Sequence, residues 1–201
     1  KMKYFLDNVW YSQGKSLPNI GNTIEEKAEI KQFVKDMFEK KDNGTIAFPP
    51  SGANNDGQTI GYACEVMKRF KPTLTVVYLS NVDGCHSNFT SYLQSLHSAD
   101  HAVGHLWDYI QNQIPEMANN TAIVVSPEHG RNLEPNRIKD ANAFYGYDHS
   151  DSNARRVFNL MAGPGIDSNL VIGNQANGVG DIVNITPTIA EILGFKQDMI
   201  N

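Results

Sequence analysis

Five consecutive residues, Thr121-Ala122-Ile123-Val124-Val125, form a β-branched apolar run that ends abruptly at Ser126-Pro127. A run of that length and type, bounded by turn residues, reads as a buried strand. Glu128 and His129 follow at once, and Gly130 lets the backbone turn away. In open α/β sheets, ligands bind beyond the carboxyl ends of the strands. A carboxylate and an imidazole therefore stand where an α/β chain puts its chemistry. We read Glu128 and His129 as half of a metal site whose remaining ligands lie at other strand or loop ends.

Two further segments carry ligand-type residues. Thr73-Leu74-Thr75-Val76-Val77-Tyr78-Leu79 has the strongest strand composition in the chain, and it delivers Asp83 and His86. The third cluster, Asp148-His149-Ser150-Asp151, closes a polar stretch over 131–148 that contains Pro135 and Tyr145-Gly146-Tyr147 and reads as irregular. Around these segments the pattern alternates between helix and strand. Thr23 and Glu26 have the spacing of a capping box, and Ile30, Phe33, Val34, Met37 and Phe38 recur at helical spacing, which predicts a helix over 24–41. Thr45-Ile46-Ala47-Phe48 predicts a short strand, and 51–58 a polar connector. Ile60, Ala63, Cys64, Met67 and Phe70 predict a second helix ended by Pro72, and Ala102, Val103, Leu106, Trp107 and Ile110 a third from about Ser98 to Gln113. Arg155 to Met161 reads as a strand. The last helix is read with Thr186 as N-cap, Pro187 at N1, Gly194 beyond its end, and Ile189, Ile192 and Leu193 toward the core. Such alternation predicts an α/β fold with a mainly parallel sheet flanked by helices.

Composition removes some classes. The 201 residues, 40% hydrophobic and 19% charged, are enough for one domain with a sizeable core. A net charge of -5 leaves no nucleic-acid footprint. No apolar run approaches the roughly 18–20 residues of a membrane span, and no signal peptide opens the chain. Cys64 sits in a helical pattern and reads as a small buried hydrophobe. Cys85, between Asp83 and His86, is a weaker metal candidate.

Taken together, Asp83, His86, Glu128, His129 and His149 offer three imidazoles and two carboxylates, a mixed N/O set that suits zinc or manganese. At this point the chain resembles the C-terminal part of the alkaline phosphatase superfamily, which includes phosphatases, nucleotide pyrophosphatases/phosphodiesterases, sulfatases and metal-dependent phosphomutases. Asp83 and His86 resemble its aspartate-to-histidine loop, Glu128-His129-Gly130 its Asp-His-Gly turn, and His149 its late histidine. Asp181-Ile182, Thr186-Pro187-Thr188-Ile189-Ala190 and Leu193-Gly194 resemble its closing structural helix. The resemblance covers about residues 73–194 and leaves 1–72 unassigned.

The resemblance implies two divalent metal ions, zinc before manganese or calcium. Asp83, His86 and His149 would bind one, and Glu128 and His129 the other. It implies hydrolysis of a small-molecule phosphate or sulfate ester, with a metal-dependent phosphomutase or a non-catalytic binding domain of the same fold as alternatives. Arg131 would hold a substrate oxygen, or would pair with Glu134 or Asp140 instead. Glu128 departs from the family's usual Asp, and the spacing of Asp83 and His86 is shorter than in some relatives. No nucleophile turn accompanies the ligands, and the opening at Lys1 leads us to expect an incomplete alkaline-phosphatase-like domain whose nucleophile lies before residue 1. Such a domain is expected to expose a sheet edge and self-associate, and a periplasmic or secreted location is expected. His97, His101 and His105, at i, i+4 and i+8, read as a solvated helix face opposite the apolar stripe.

Overall fold

The computed structural model describes residues 21–50, 55–84, 86, 88–137, 139, 143, 145–174 and 177–195. The chain divides into two compact units, Lys1–Thr121 and Ala122–Asn201. Cys85 lies outside the described residues.

The first unit is helical. Helix α1 spans Ile24–Asp42. Thr23 caps it by accepting the Glu26 N–H at 3.0 Å, while the Glu26 carboxylate reaches the Asn22 N–H at 2.6 Å, one residue earlier than a capping box requires. Gly44, at φ +68°, turns the chain away after the last turn. Ile30, Phe33, Val34 and Met37 are buried at i, i+3, i+4 and i+7. They form one apolar core with Ile46 and with Tyr62 and Val66 of α2, which spans Asn55–Phe70. The expected strand at 45–48 is instead a tight turn, with the Phe48 N–H on the Ile46 carbonyl at 2.9 Å. That turn puts Ile46 in the core and lays Phe48 over Gly61, where a Cβ would come within 2.5 Å of the Phe48 ring.

Helix α2 begins inside the segment read as a connector, and α3, which packs along it, runs over Phe89–Gln113. Asn88 caps α3 by accepting the Ser91 N–H at 3.0 Å. The helix therefore starts nine residues before the expected Ser98. Its early apolar residues Phe89, Leu93 and Leu96 do have helical spacing, but they are exposed and add nothing to the core stripe. Ile114 is buried, and Pro115 opens the one-turn helix α4, Pro115–Ala118. Residues 73–79, where the sequence predicts the best strand, pair in no ladder among the described residues.

In the second unit, β1 (Ile123–Val125) pairs antiparallel with β2 (Leu160–Ala162), Ile123 opposite Ala162 and Val125 opposite Leu160. The fold is thus mixed helix and sheet, but its sheet among the described residues is this two-stranded antiparallel pair, not a mainly parallel one. Asn153–Arg155 forms a 3₁₀ turn, and of the strand expected over Arg155 to Met161 only Leu160 and Met161 lie in β2. Helix α5 spans Ile185–Ile192 and is preceded by a 3₁₀ turn over Ile182–Asn184. The N-cap of α5 is therefore Asn184 rather than Thr186, and Asp181 caps the 3₁₀ turn, its N–H donating to Asn184 Oδ1 at 2.7 Å. Gly194, at φ +72°, ends α5 as the sequence predicts. Ala190 is the buried residue of this helix, and Ile192 stays exposed. No helix of the described residues is long and apolar enough to cross a membrane.

Candidate metal centre

In the second unit β1 runs directly into Ser126-Pro127-Glu128-His129-Gly130. The Gly130 N–H donates to the Ala154 carbonyl at 2.7 Å. A Cβ on Gly130 would lie 2.6 Å from the Arg156 carbonyl oxygen and 3.0 Å from that of Asn153. The turn after Glu128-His129 therefore lies flat on the 153–156 turn, and glycine is required because backbone oxygens occupy the space of a side chain.

That seating orients His129. Its Nδ1 is 2.8 Å from the Gly130 carbonyl oxygen, which can only accept, so Nδ1 carries the proton. In the neutral ring this leaves a lone pair on Nε2. Nε2 in turn lies 3.1 Å from Glu128 Oε1. That pairing calls for a positive centre, a proton or a metal ion, between the two atoms. A backbone carbonyl on one ring nitrogen and the metal on the other is the usual setting of a ligating histidine. The donor set therefore fits a divalent cation.

His149 is brought to the same place. The His129 and His149 ring centroids are 4.4 Å apart. His149 Nε2 lies 3.0 Å from Asp148 Oδ1, which also accepts the His149 N–H at 3.0 Å. All four side chains are solvent-accessible, from 36% exposed for His129 to 68% for Glu128, so an ion and a substrate can reach them. The Arg131 guanidinium carbon lies 5.6 Å from the centre of the Tyr147 ring, and the Arg131 carbonyl accepts Asn153 Nδ2 at 2.8 Å.

The loop that carries His149 is held by polar side chains. Asn132 Oδ1 accepts the N–H groups of Ser150 and Asp151 at 2.7 and 2.9 Å. The Asn132 N–H donates to the Asp148 carbonyl at 2.7 Å. Asp151 accepts the N–H groups of Leu133 and Ala154, both at 2.9 Å. Burial alone would raise the Asp151 carboxyl, but the backbone N–H groups of Leu133, Ala154, Asn153 and Glu134 outweigh it and hold the group below its usual value.

Asp83 and His86 belong to the first unit. His86 Nε2 faces Asp83 Oδ1 at 3.4 Å, and both side chains are accessible. Their turn is anchored by Asp56 in the first turn of α2, a carboxylate 1% exposed. Asp56 accepts the Ser80 N–H at 2.8 Å and the Asn81 N–H at 3.3 Å. Among the described residues, no three His, Cys, Asp or Glu side chains converge on one metal position. Within the second unit the structure thus gathers Glu128, His129 and His149, and within the first it joins Asp83 to His86, while Arg131 packs on Tyr147.

Sequence reasoning missed three residues that shape these loops: Asp148, Asn132 and Asp56. Asp148 stood inside a cluster already singled out, next to His149. Asn132 and Asp56 carried only the weak signal of an Asn or Asp near a loop or helix start. The histidines of α3 follow the solvated reading in part. His97 and His101 are exposed, with ring centroids 4.4 Å apart, whereas His105 reaches the Ala47 carbonyl through Nε2 at 2.9 Å. Cys64 is buried as expected, and burial first, then the Glu65 charge, pushes its thiol up to about 12.

No curated protein and no solved structure matches the chain. A family model does, over residues 12–159, so the match takes in most of the segment the resemblance left unassigned. Well over half of the 201 residues are covered, and the chain therefore belongs to the type I phosphodiesterase / nucleotide pyrophosphatase family of the alkaline phosphatase superfamily.

Proposed function

We propose that the chain carries metal- and substrate-binding residues of a metal-dependent phosphoric ester hydrolase. The family supports phosphate ester hydrolysis at the family level. The observation that carries the metal reading is the grouping of Glu128, His129 and His149, with the His129 tautomer fixed by Gly130 and Nε2 aimed at a carboxylate. In this reading Asp83 and His86 in the first unit, and Glu128, His129 and His149 in the second, are metal ligands. Bound ions of this kind polarise phosphoryl oxygens and activate a nucleophile. Arg131, steadied by Tyr147, binds a non-bridging phosphate oxygen through its guanidinium. None of these residues is assigned as the nucleophile.

The expected parallel sheet belongs to the same proposal. Leu74, Val76 and Tyr78 are exposed while Thr75, Val77 and Leu79 are half-buried, so residues 73–79 offer apolar side chains on both faces. That pattern suits a strand covered on both sides.

Elemental analysis of the purified chain after zinc or manganese loading tests the metal reading. The expected result is stoichiometric metal that is lost in a His86→Ala/His149→Ala double variant. A parent chain that takes up no metal from excess would overturn it.

A further inference from the structure

We propose that Asn132 is a positioning residue that sets the spacing of His129 and His149; the proposal rests on the metal-binding reading of those two histidines. Asn132 follows His129 by three residues and is 9% exposed. The N–H groups of Ser150 and Asp151 point at one atom of its amide, at 2.7 and 2.9 Å. A backbone N–H can only donate, so that atom is the oxygen. The amide nitrogen is then the atom facing Ser150 Oγ at 3.1 Å and Asn136 Oδ1 at 3.5 Å. The Asn132 N–H donates to the Asp148 carbonyl at 2.7 Å. One residue therefore grips the chain on both sides of His149, through the carbonyl before it and the N–H after it.

Two anchors define the geometry. Gly130, seated on the 153–156 turn, fixes His129. Asn132 fixes His149 relative to that same segment. Hydrogen bonds are directional, so they hold a loop in one conformation without a packed core beneath it. Asn136 extends the clamp: its Oδ1 also accepts the Asp148 N–H at 3.4 Å, and its own N–H donates to the Gly146 carbonyl at 2.7 Å. Asn132 touches neither metal nor substrate in this account; it acts through the two imidazoles.

The test uses the whole chain with two variants and two readouts. One readout is the NMR cross-peak between the ring protons of His129 and His149, which needs no metal. The other is zinc affinity by calorimetric titration. Asn132→Ala removes the acceptor of two backbone N–H groups. It is expected to lose the cross-peak and to bind zinc about 10–100-fold more weakly, the usual effect of losing an outer support of a metal ligand. Asn132→Asp keeps an oxygen in the same place and is expected to keep the cross-peak and the affinity. An unchanged cross-peak in Asn132→Ala would overturn the proposal, as would its absence in the parent chain. Should Asn132→Ala unfold by circular dichroism, a folded Asn132→Asp that lacks the cross-peak overturns it. A parent chain that shows the cross-peak and binds no zinc defeats the metal reading alone, and the cross-peak then decides the role of Asn132.

Discussion

The two units keep their shape by different means. In Lys1–Thr121, Ile30, Val34, Met37, Ile60, Ala63, Ile110 and Ile114 are all 2% exposed or less, and helices supply their own backbone hydrogen bonds. In Ala122–Asn201, the buried apolar residues among those described are Ala154 and Ala190, while Phe158, Leu160, Val171 and Val183 are exposed. What holds the loops there is a set of Asn and Asp side chains bonded to backbone groups. The difference bears on function. A hydrophobic core fixes helices but not the path of an irregular loop, because burial has no direction. Ligand-bearing loops need directional bonds, each contributing only about 0.5–1.5 kcal/mol net. The same division recurs within the first unit, where the Asp83 turn hangs from the buried Asp56 carboxylate rather than from apolar packing.

The largest expected effect lies in the helical core. Ile30→Ala should cost about 2–5 kcal/mol, the range for emptying a well-packed site. Urea denaturation followed by far-ultraviolet circular dichroism measures it. A cost below about 1 kcal/mol, typical of a surface change, would mean that α1 does not depend on that core. Next comes Gly130→Ala, where a Cβ 2.6 Å from the Arg156 carbonyl forces the turn off its seat. A local loss of about 1–3 kcal/mol is expected from such overpacking. Hydrogen exchange should show it as faster exchange of the Gly130 amide, with the helical signal unchanged. If the helices melt together with that amide, the contrast between the units fails.

Most of the helical unit was legible in the sequence. The spacing of Ile30, Phe33, Val34 and Met37 gave α1 to within a residue of its observed end, because those side chains are in fact the buried ones. Legibility failed where local pattern and tertiary contact disagree. Thr45–Phe48 has strand composition, but it turns tightly because Ile46 and the Gly61–Phe48 contact pull it inward. The start of α3 was hidden because its early apolar residues face no core. Residues 73–79 have a strand's composition, yet a ladder needs a partner, and composition does not supply one. At the site, ligand-type residues were visible because carboxylates and imidazoles are rare enough to stand out at loop starts. Asn132 and Asp56 were not, since their importance lies in which backbone N–H groups they meet, and sequence spacing does not encode that.

The smallest expected effects come from two ion pairs of equal length. Lys40 Nζ lies 2.6 Å from Glu65 Oε2, and Arg69 Nη2 lies 2.6 Å from Glu29 Oε1. Distance alone would rank them together. Their surroundings separate them: the Glu65 side chain is 9% exposed, whereas Glu29 and Arg69 are 46% and 56% exposed. Lys40→Ala removes the cation from a carboxylate with little access to water, and a loss of about 1–3 kcal/mol is expected. Glu29→Ala breaks a pair that water and salt already screen, and should cost less than about 1 kcal/mol. Raising the salt concentration should shrink the second difference more than the first, because screening acts on exposed charges. Equal losses that fall together with salt would place Glu65 in effective contact with solvent. The apolar packing of α1 on α2 would then have to be looser around Lys40 than around Val34, and the line between an apolar first unit and a polar second one would run through α1 itself.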